Sequence, residues 1–207
     1  MKSALVSTRN LFMLATALVG GMAHAATLTF DFDTIVTSSG NPNGPAPWAT
    51  AVFTDTGLNQ VDMVLTHHAT SAAGQFLTNL KLNVTPNTSG FNTAVLSDAN
   101  GAYNGFNYSP NGHNDAGSSY DLEVLFKNSA QNRLNPGSSI TLRFTANSLS
   151  TSSFNSMSFG DEPQLALLHL QGIDGGGSAK LAPVPEPFSM VGLGVLALAG
   201  MRRKKKA

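Results

Sequence analysis

Apolar and polar residues alternate with a period of two along much of the chain. Leu28, Phe30 and Phe32 interleave with Thr29, Asp31 and Asp33, and Leu80, Leu82 and Val84 with Lys81 and Asn83. Val61, Met63 and Leu65 flank Asp62 and Val64, and Leu122, Val124 and Phe126 flank Glu123 and Leu125. The cleanest run sets Ile140, Leu142, Phe144 and Ala146 against Thr141, Arg143 and Thr145. Successive side chains of an extended strand face opposite ways, so each run predicts a strand with one buried face. Residues 165–170 are almost continuously apolar and predict a central strand covered on both sides. Residues 50–53 form a weaker candidate.

Turn-forming clusters separate these runs at 38–48, 85–90, 109–119 and 135–139, where Asn-Gly, Pro-Asn and Gly-Ser pairs supply left-handed or proline-fixed positions. No stretch between the two ends carries a helical stripe, which argues against alternating strand–helix architectures. About seven strands with long links predict an all-β domain, a β-sandwich of jelly-roll type, with a β-barrel as the alternative. The glycine-rich stretch GIDGGGS at 172–178 reads as a hairpin or an exit linker. The expected division is 1–25, 26–173 for the β domain, 174–183 for a linker, and 184–207 for a tail.

The ends are built differently. Lys2 and Arg9 precede an apolar run at 11–19, and Ala23-His24-Ala25 offers small residues two apart before Ala26. That is the pattern of a secretory signal helix removed by signal peptidase after Ala25. Near the other end, residues 188–201 are only apolar, Gly or Ser, and Arg202, Arg203, Lys204, Lys205 and Lys206 follow. As a helix, that stretch would be about 21 Å long, against a hydrocarbon core of about 30 Å. The basic cluster favours a short transmembrane helix, because lysines and arginines can snorkel to headgroups and hold that end in the cytoplasm.

Charge sharpens the contrast. The formal net charge of the 207 residues is zero, but seven of the twelve basic residues lie in these two ends. The middle keeps five basic against all twelve acidic residues, a balance of −7. An acidic domain gives no drive for phosphate neutralisation, which excludes nucleic acid as an expected partner. There is no cysteine, so disulfides, thiolate metal sites and cysteine nucleophiles are excluded.

Val184-Pro185-Glu186-Pro187, the apolar segment and the terminal basic cluster, in that order, resemble the PEP-CTERM sorting signal of Gram-negative bacteria. The resemblance covers about the last 24 residues. It implies that Val184, Pro185, Glu186 and Pro187 form a recognition element for exosortase. It also implies an exported protein that is held transiently in the inner membrane and then released to the cell surface or medium, in association with exopolysaccharide and biofilm. Prolines keep such a motif extended and therefore accessible.

Catalytic chemistry is sparse. No G-x-S-x-G, Walker A or H-E-x-x-H motif occurs, and no enzyme activity is expected. His67 and His68 would point to opposite faces of a strand, which does not suit one metal ion. His169 falls in an apolar run and reads as a core or edge histidine. Asp31 and Asp33 share a face and read as its solvated side. No cofactor is expected, although carbonyl-rich loops carrying Asp98, Asn104, Asn111 and Asp115 could form an irregular Ca²⁺ site. The most suggestive stretch is 100–115, NGAYNGFNYSPNGHND, where Tyr103, Phe106 and Tyr108 sit among amides in an expected surface loop. Together with Trp48, these rings are the candidate glycan contacts, since sugar C–H faces stack on aromatics while amides reach hydroxyls. The alternative is that the same rings anchor their own loops. The leading expectation is thus a non-enzymatic envelope or matrix protein, with a carbohydrate-binding module as the alternative and a glycan hydrolase behind both.

Overall fold

The computed structural model describes residues 25–86 and 89–184. Residues of the signal up to His24 lie outside these, as do Pro185, Glu186, Pro187, the 188–201 segment and the basic cluster from Arg202 to Lys206. Ala25, Ala26 and Val184 lie just inside and are exposed.

The described residues form eleven strands: β1 Thr27–Ser38, β2 Ala49–Gly57, β3 Gln60–His67, β4 Phe76–Leu82, β5 Asn92–Asp98, β6 Tyr103–Asp115, β7 Ser118–Phe126, β8 Ser139–Thr145, β9 Phe159–Gly160, β10 Ala166–Ile173 and β11 Gly177–Pro183. Among the described residues the one helical element is a single 3₁₀ turn, Thr151–Phe154, and no helix is long and apolar enough to cross a membrane. The protein is all-β. Every strand pair is antiparallel, in the order β5-β8-β3-β2-β1-β11-β10-β4-β7-β6, with β9 added on β7. This is one open ladder. It is not closed, which sets aside the barrel alternative.

β1 is the joint of the ladder. Its first half, from Thr27 to Phe32, pairs with β2, and its second half, from Phe32 to Ser38, pairs with β11. The register shifts between Phe32 and Thr34 and again between Ile35 and Thr37. Such irregularities bend a strand, and the bend lets both halves of the ladder contribute to a single core. Phe30, Phe53, Met63, Leu142 and Phe144 come from one half, and Leu80, Leu122, Val124, Leu168 and Leu181 from the other. Fully burying each such side chain contributes about 1.5–3 kcal/mol. The 3₁₀ turn plugs this core, its Phe154 stacking on Phe53 with centroids 4.7 Å apart.

The alternating runs all became strands. His67 points inward and is buried, with Nδ1 3.0 Å from the Leu134 carbonyl, and burial lowers its pKa. His68 lies on the other side, with Nε2 2.8 Å from Thr50 Oγ1. Thr50 Oγ1 also donates to Asp31, on the solvated side of β1. β10 is interior: Leu168 pairs with Leu80 on one side and Leu181 on the other.

Two expectations are corrected. Residues 174–183 are not a linker, because all but the turn belong to β11, which is hydrogen-bonded between β1 and β10. Ala179, Leu181 and Ala182 are buried. Residues 103–115 are not a surface loop but β6, the outermost strand beside β7.

Candidate functional site

The β6 aromatics turn inward. Tyr103, Phe106 and Tyr108 are partly buried and pack against the core, and burial raises the pKa of the Tyr103 hydroxyl. Trp48 is 8% exposed and donates its indole N–H to the Gly44 carbonyl at 3.1 Å. These four rings anchor their own segments, so the anchoring alternative describes their placement. The four Ca²⁺ candidates are engaged elsewhere in two cases. Asp98 accepts backbone N–H groups from Ala102 and Tyr103, each at 2.8 Å, and Asp115 faces two lysines. Among the described residues no group of three or more acidic or histidine side chains is placed to hold a metal ion.

What the fold does create is a groove of about 460 Å³ beside the β6–β7 hairpin. Hairpin residues 114–119 form one wall, and Phe159 and Gly160 of β9 form the other. Phe159 is 75% exposed, the most exposed aromatic ring among the described residues. Its position is fixed rather than incidental. Ser158 N–H donates to the Gln164 carbonyl and Gln164 N–H donates to Ser158 Oγ, both at 2.8 Å, closing the loop that carries it. Ser118 Oγ donates to the Glu162 carbonyl at 2.6 Å, tying that loop to the hairpin. Gly160 has φ of +150°, and a Cβ there would lie 2.8 Å from Ser118 Cα, so only glycine permits the approach.

The hairpin is pinned in turn. β6 carries three extra residues between the Tyr108–Leu122 and His113–Tyr120 pairs, a wide bulge. Asn111, at the bulge, has φ of +51° and donates its N–H to Asp121 Oδ1 at 2.8 Å. Buried Asp121 uses its other oxygen to accept the N–H of Val84 at 2.9 Å. Asp115, near the hairpin tip, accepts Lys81 at 2.8 Å and Lys180. Burial pushes its carboxyl up, but hydrogen bonds from Lys180 and Lys81 outweigh burial and hold it below the ordinary carboxylate range. Tyr120 is wholly buried under the hairpin, and burial pushes its hydroxyl up to about 12.

Lining the groove are therefore Phe159, Asn114, Asp115, Ser118 and Ser119, with Ala116, Gly117 and Gly160. Asn114 Oδ1 accepts Ser119 Oγ at 2.6 Å, which orients that amide. An apolar plate beside oriented amide and hydroxyl groups can stack on a sugar ring and bond its hydroxyls. Sequence reasoning passed over Phe159 because it belongs to no alternating run. The one available signal was an isolated aromatic in the polar stretch NSMSFGDE, at 155–162.

No family model matches the chain, and no curated protein matches it. A solved structure of a biomass-sensing module from an Rsgi-like protein of Clostridium thermocellum, described as resembling the family 3 carbohydrate-binding module of the cellulosome, aligns with 80% of this chain and 100% of that one. Identity is 12% and the TM-score 0.34, a likeness too weak to bear on function.

Proposed function

We propose that this chain is an exported, non-enzymatic glycan-binding domain, retained on extracellular polysaccharide through the groove at Phe159. The observation that carries the reading is the Phe159 ring, exposed yet rigidly mounted against the amide-lined hairpin. An exposed ring held beside an oriented amide and hydroxyls is suited to stack on the C–H face of a sugar while they reach its hydroxyls. The scaffold is taken as a β-sandwich, its two half-ladders facing each other across the shared core. Binding without turnover fits the nearby carboxylates, since Asp115 is occupied by two ammonium groups.

Export and sorting rest on the signal pattern and on the resemblance at Val184-Pro185-Glu186-Pro187. Deleting 184–207 should change where the protein accumulates between membranes, cell surface and medium.

The binding test is Phe159→Ala, assayed by retention on the producing cell's own exopolysaccharide. The side chain is mostly solvated, so the variant should melt like the wild type while retention falls about tenfold, the equivalent of about 1.4 kcal/mol of stacking. A folded variant retained as well as the wild type would sink the proposal.

A further inference from the structure

On the hairpin wall of the groove, one carboxylate is set between two primary amines. Lys81, on β4, places Nζ 2.8 Å from Asp115 Oδ2, and Lys180, on β11, places its Nζ directly against Oδ1. The Lys81 and Asp115 side chains are 8% and 12% exposed, and Lys180 is 29% exposed. Glu123 faces Lys81 at 3.7 Å, and His113 faces Glu123 at 3.8 Å. Leu167, buried, is the register partner of Lys81, and His169 is that of Lys180. Burial first, and then the charges of Lys180 and Lys81, lower the pKa of His169, while the charge of Asp115 opposes them. Buried Tyr120 lies within electrostatic reach of Asp115.

An ammonium and a carboxylate held together, with the carboxylate mostly shielded and the lysine partly exposed, are under two pressures. Keeping both charged costs desolvation free energy. Holding them in contact removes the entropic barrier to their reaction. We propose that Lys180 and Asp115 join through an intramolecular amide, which ties the last strand covalently to the β6–β7 hairpin.

The reaction is a simple condensation. Burial favours a neutral Asp115 acid but hydrogen bonds from Lys180 and Lys81 outweigh it, so the pair reacts through its minor neutral form: a proton passes from the Lys180 ammonium to Oδ1, and the resulting amine attacks Cγ. Oxyanion charge develops on Oδ2, where the Lys81 ammonium already donates. The C–N bond forms, the Cγ–Oδ1 bond breaks, and Oδ1 leaves as water carrying two protons from Lys180. An ammonium and a carboxylate become an amide and water, with no change of oxidation state and no co-reactant. Charge also balances afterwards. Two cations and two carboxylates become one of each, and Lys81 stays paired with Glu123. Lys81 is the less suitable nucleophile because its Nζ also donates to the Asn114 carbonyl and faces Glu123. A chain without cysteine has no disulfide with which to brace its final strand, and this bond would do that work.

The test is intact-mass measurement and peptide mapping of the purified full chain beside Lys180→Arg. Arginine keeps the charge that faces Asp115, so the variant folds, but its guanidinium does not acylate. The wild type should be lighter than its own composition by one water molecule, with a branched peptide joining the segments around residues 115 and 180. Lys180→Arg should show its full composition mass. Either of two results overturns the proposal: linear wild-type peptides with unmodified Lys180, or a water loss that persists in Lys180→Arg, as a succinimide at Asp174-Gly175 would give.

Discussion

Phe91 stacks on Tyr108 with ring centroids 4.9 Å apart and planes 16° from parallel. Phe91 immediately precedes β5 and Tyr108 lies on β6, the two strands at opposite ends of the ladder. The contact brings together, through side chains, two edges that no backbone ladder joins. Phe91 also meets Phe144 at 5.8 Å, so the stack continues into the core. Phe91→Ala should therefore destabilise the domain by about 1–3 kcal/mol, the loss of one stacked pair and a half-buried ring. Urea unfolding would show it as a lower midpoint with an unchanged slope.

Asp121→Ala should cost about 2–3 kcal/mol, because it leaves the N–H groups of Asn111 and Val84 without their acceptor. The loss should be local as well as global. Amide exchange at residues 109–113 should speed up more than exchange in β3 or β8, which the carboxylate does not touch.

Gly160→Ala should disturb the groove from its outer wall. The added methyl meets the backbone of Gly117 and Ser118, and the backbone conformation is one that side chains rarely adopt. A destabilisation of about 1–3 kcal/mol is expected, with loss of glycan retention. Phe159→Ala should reduce retention alone, so melting temperatures of the two variants separate a displaced wall from a missing ring.

Stability should fall in acid through Asp62. The hydrogen bond from Arg143 lowers its pKa, burial opposes this, and the charge of Arg143 adds to the lowering; the guanidinium makes two bonds, at 2.7 and 2.8 Å. A carboxyl whose folded pKa lies below its unfolded value contributes stability above that unfolded value, about 4, and loses it as pH falls through the folded one. Asp62→Asn should flatten the decline below about pH 4 in denaturation curves, relative to the wild type.

Deleting 174–207 should abolish cooperative unfolding, whereas deleting 185–207 should leave it intact. The shorter deletion spares β11, and the longer one strips the hydrogen-bond partner from β1 and from β10 together. Near-ultraviolet circular dichroism and thermal scans of the two products would decide.

Strands with one wet and one dry face were legible from residue pattern alone, as Ile140 to Ala146 illustrates. β5 and β6 were not, because edge strands shield little: Val95 and Leu96 both point to partly open surroundings, at 43% and 47% exposure, and β6 is broken by its bulge. β11 was hidden by the glycines and small residues around it, which read as a tether although its backbone pairs with both β1 and β10. Three of the four candidate rings share one segment, yet their inward direction follows from pairing with β7 and from packing on Phe91, both outside that segment. Phe159 gained its role only when β9 met Ser118 and Ser119, a pairing across forty residues of sequence that no local pattern encodes.

The pairing of β1 with β11 joins the two ends of the domain, residues 32–38 with residues 179–183. Whatever delivers this chain, ribosome or membrane pore, delivers them one after the other. The opening strand must therefore wait, half of it unmatched, until nearly every other residue has arrived. Such long-range closure is slow, and it keeps the polypeptide threadable until its final strand is through.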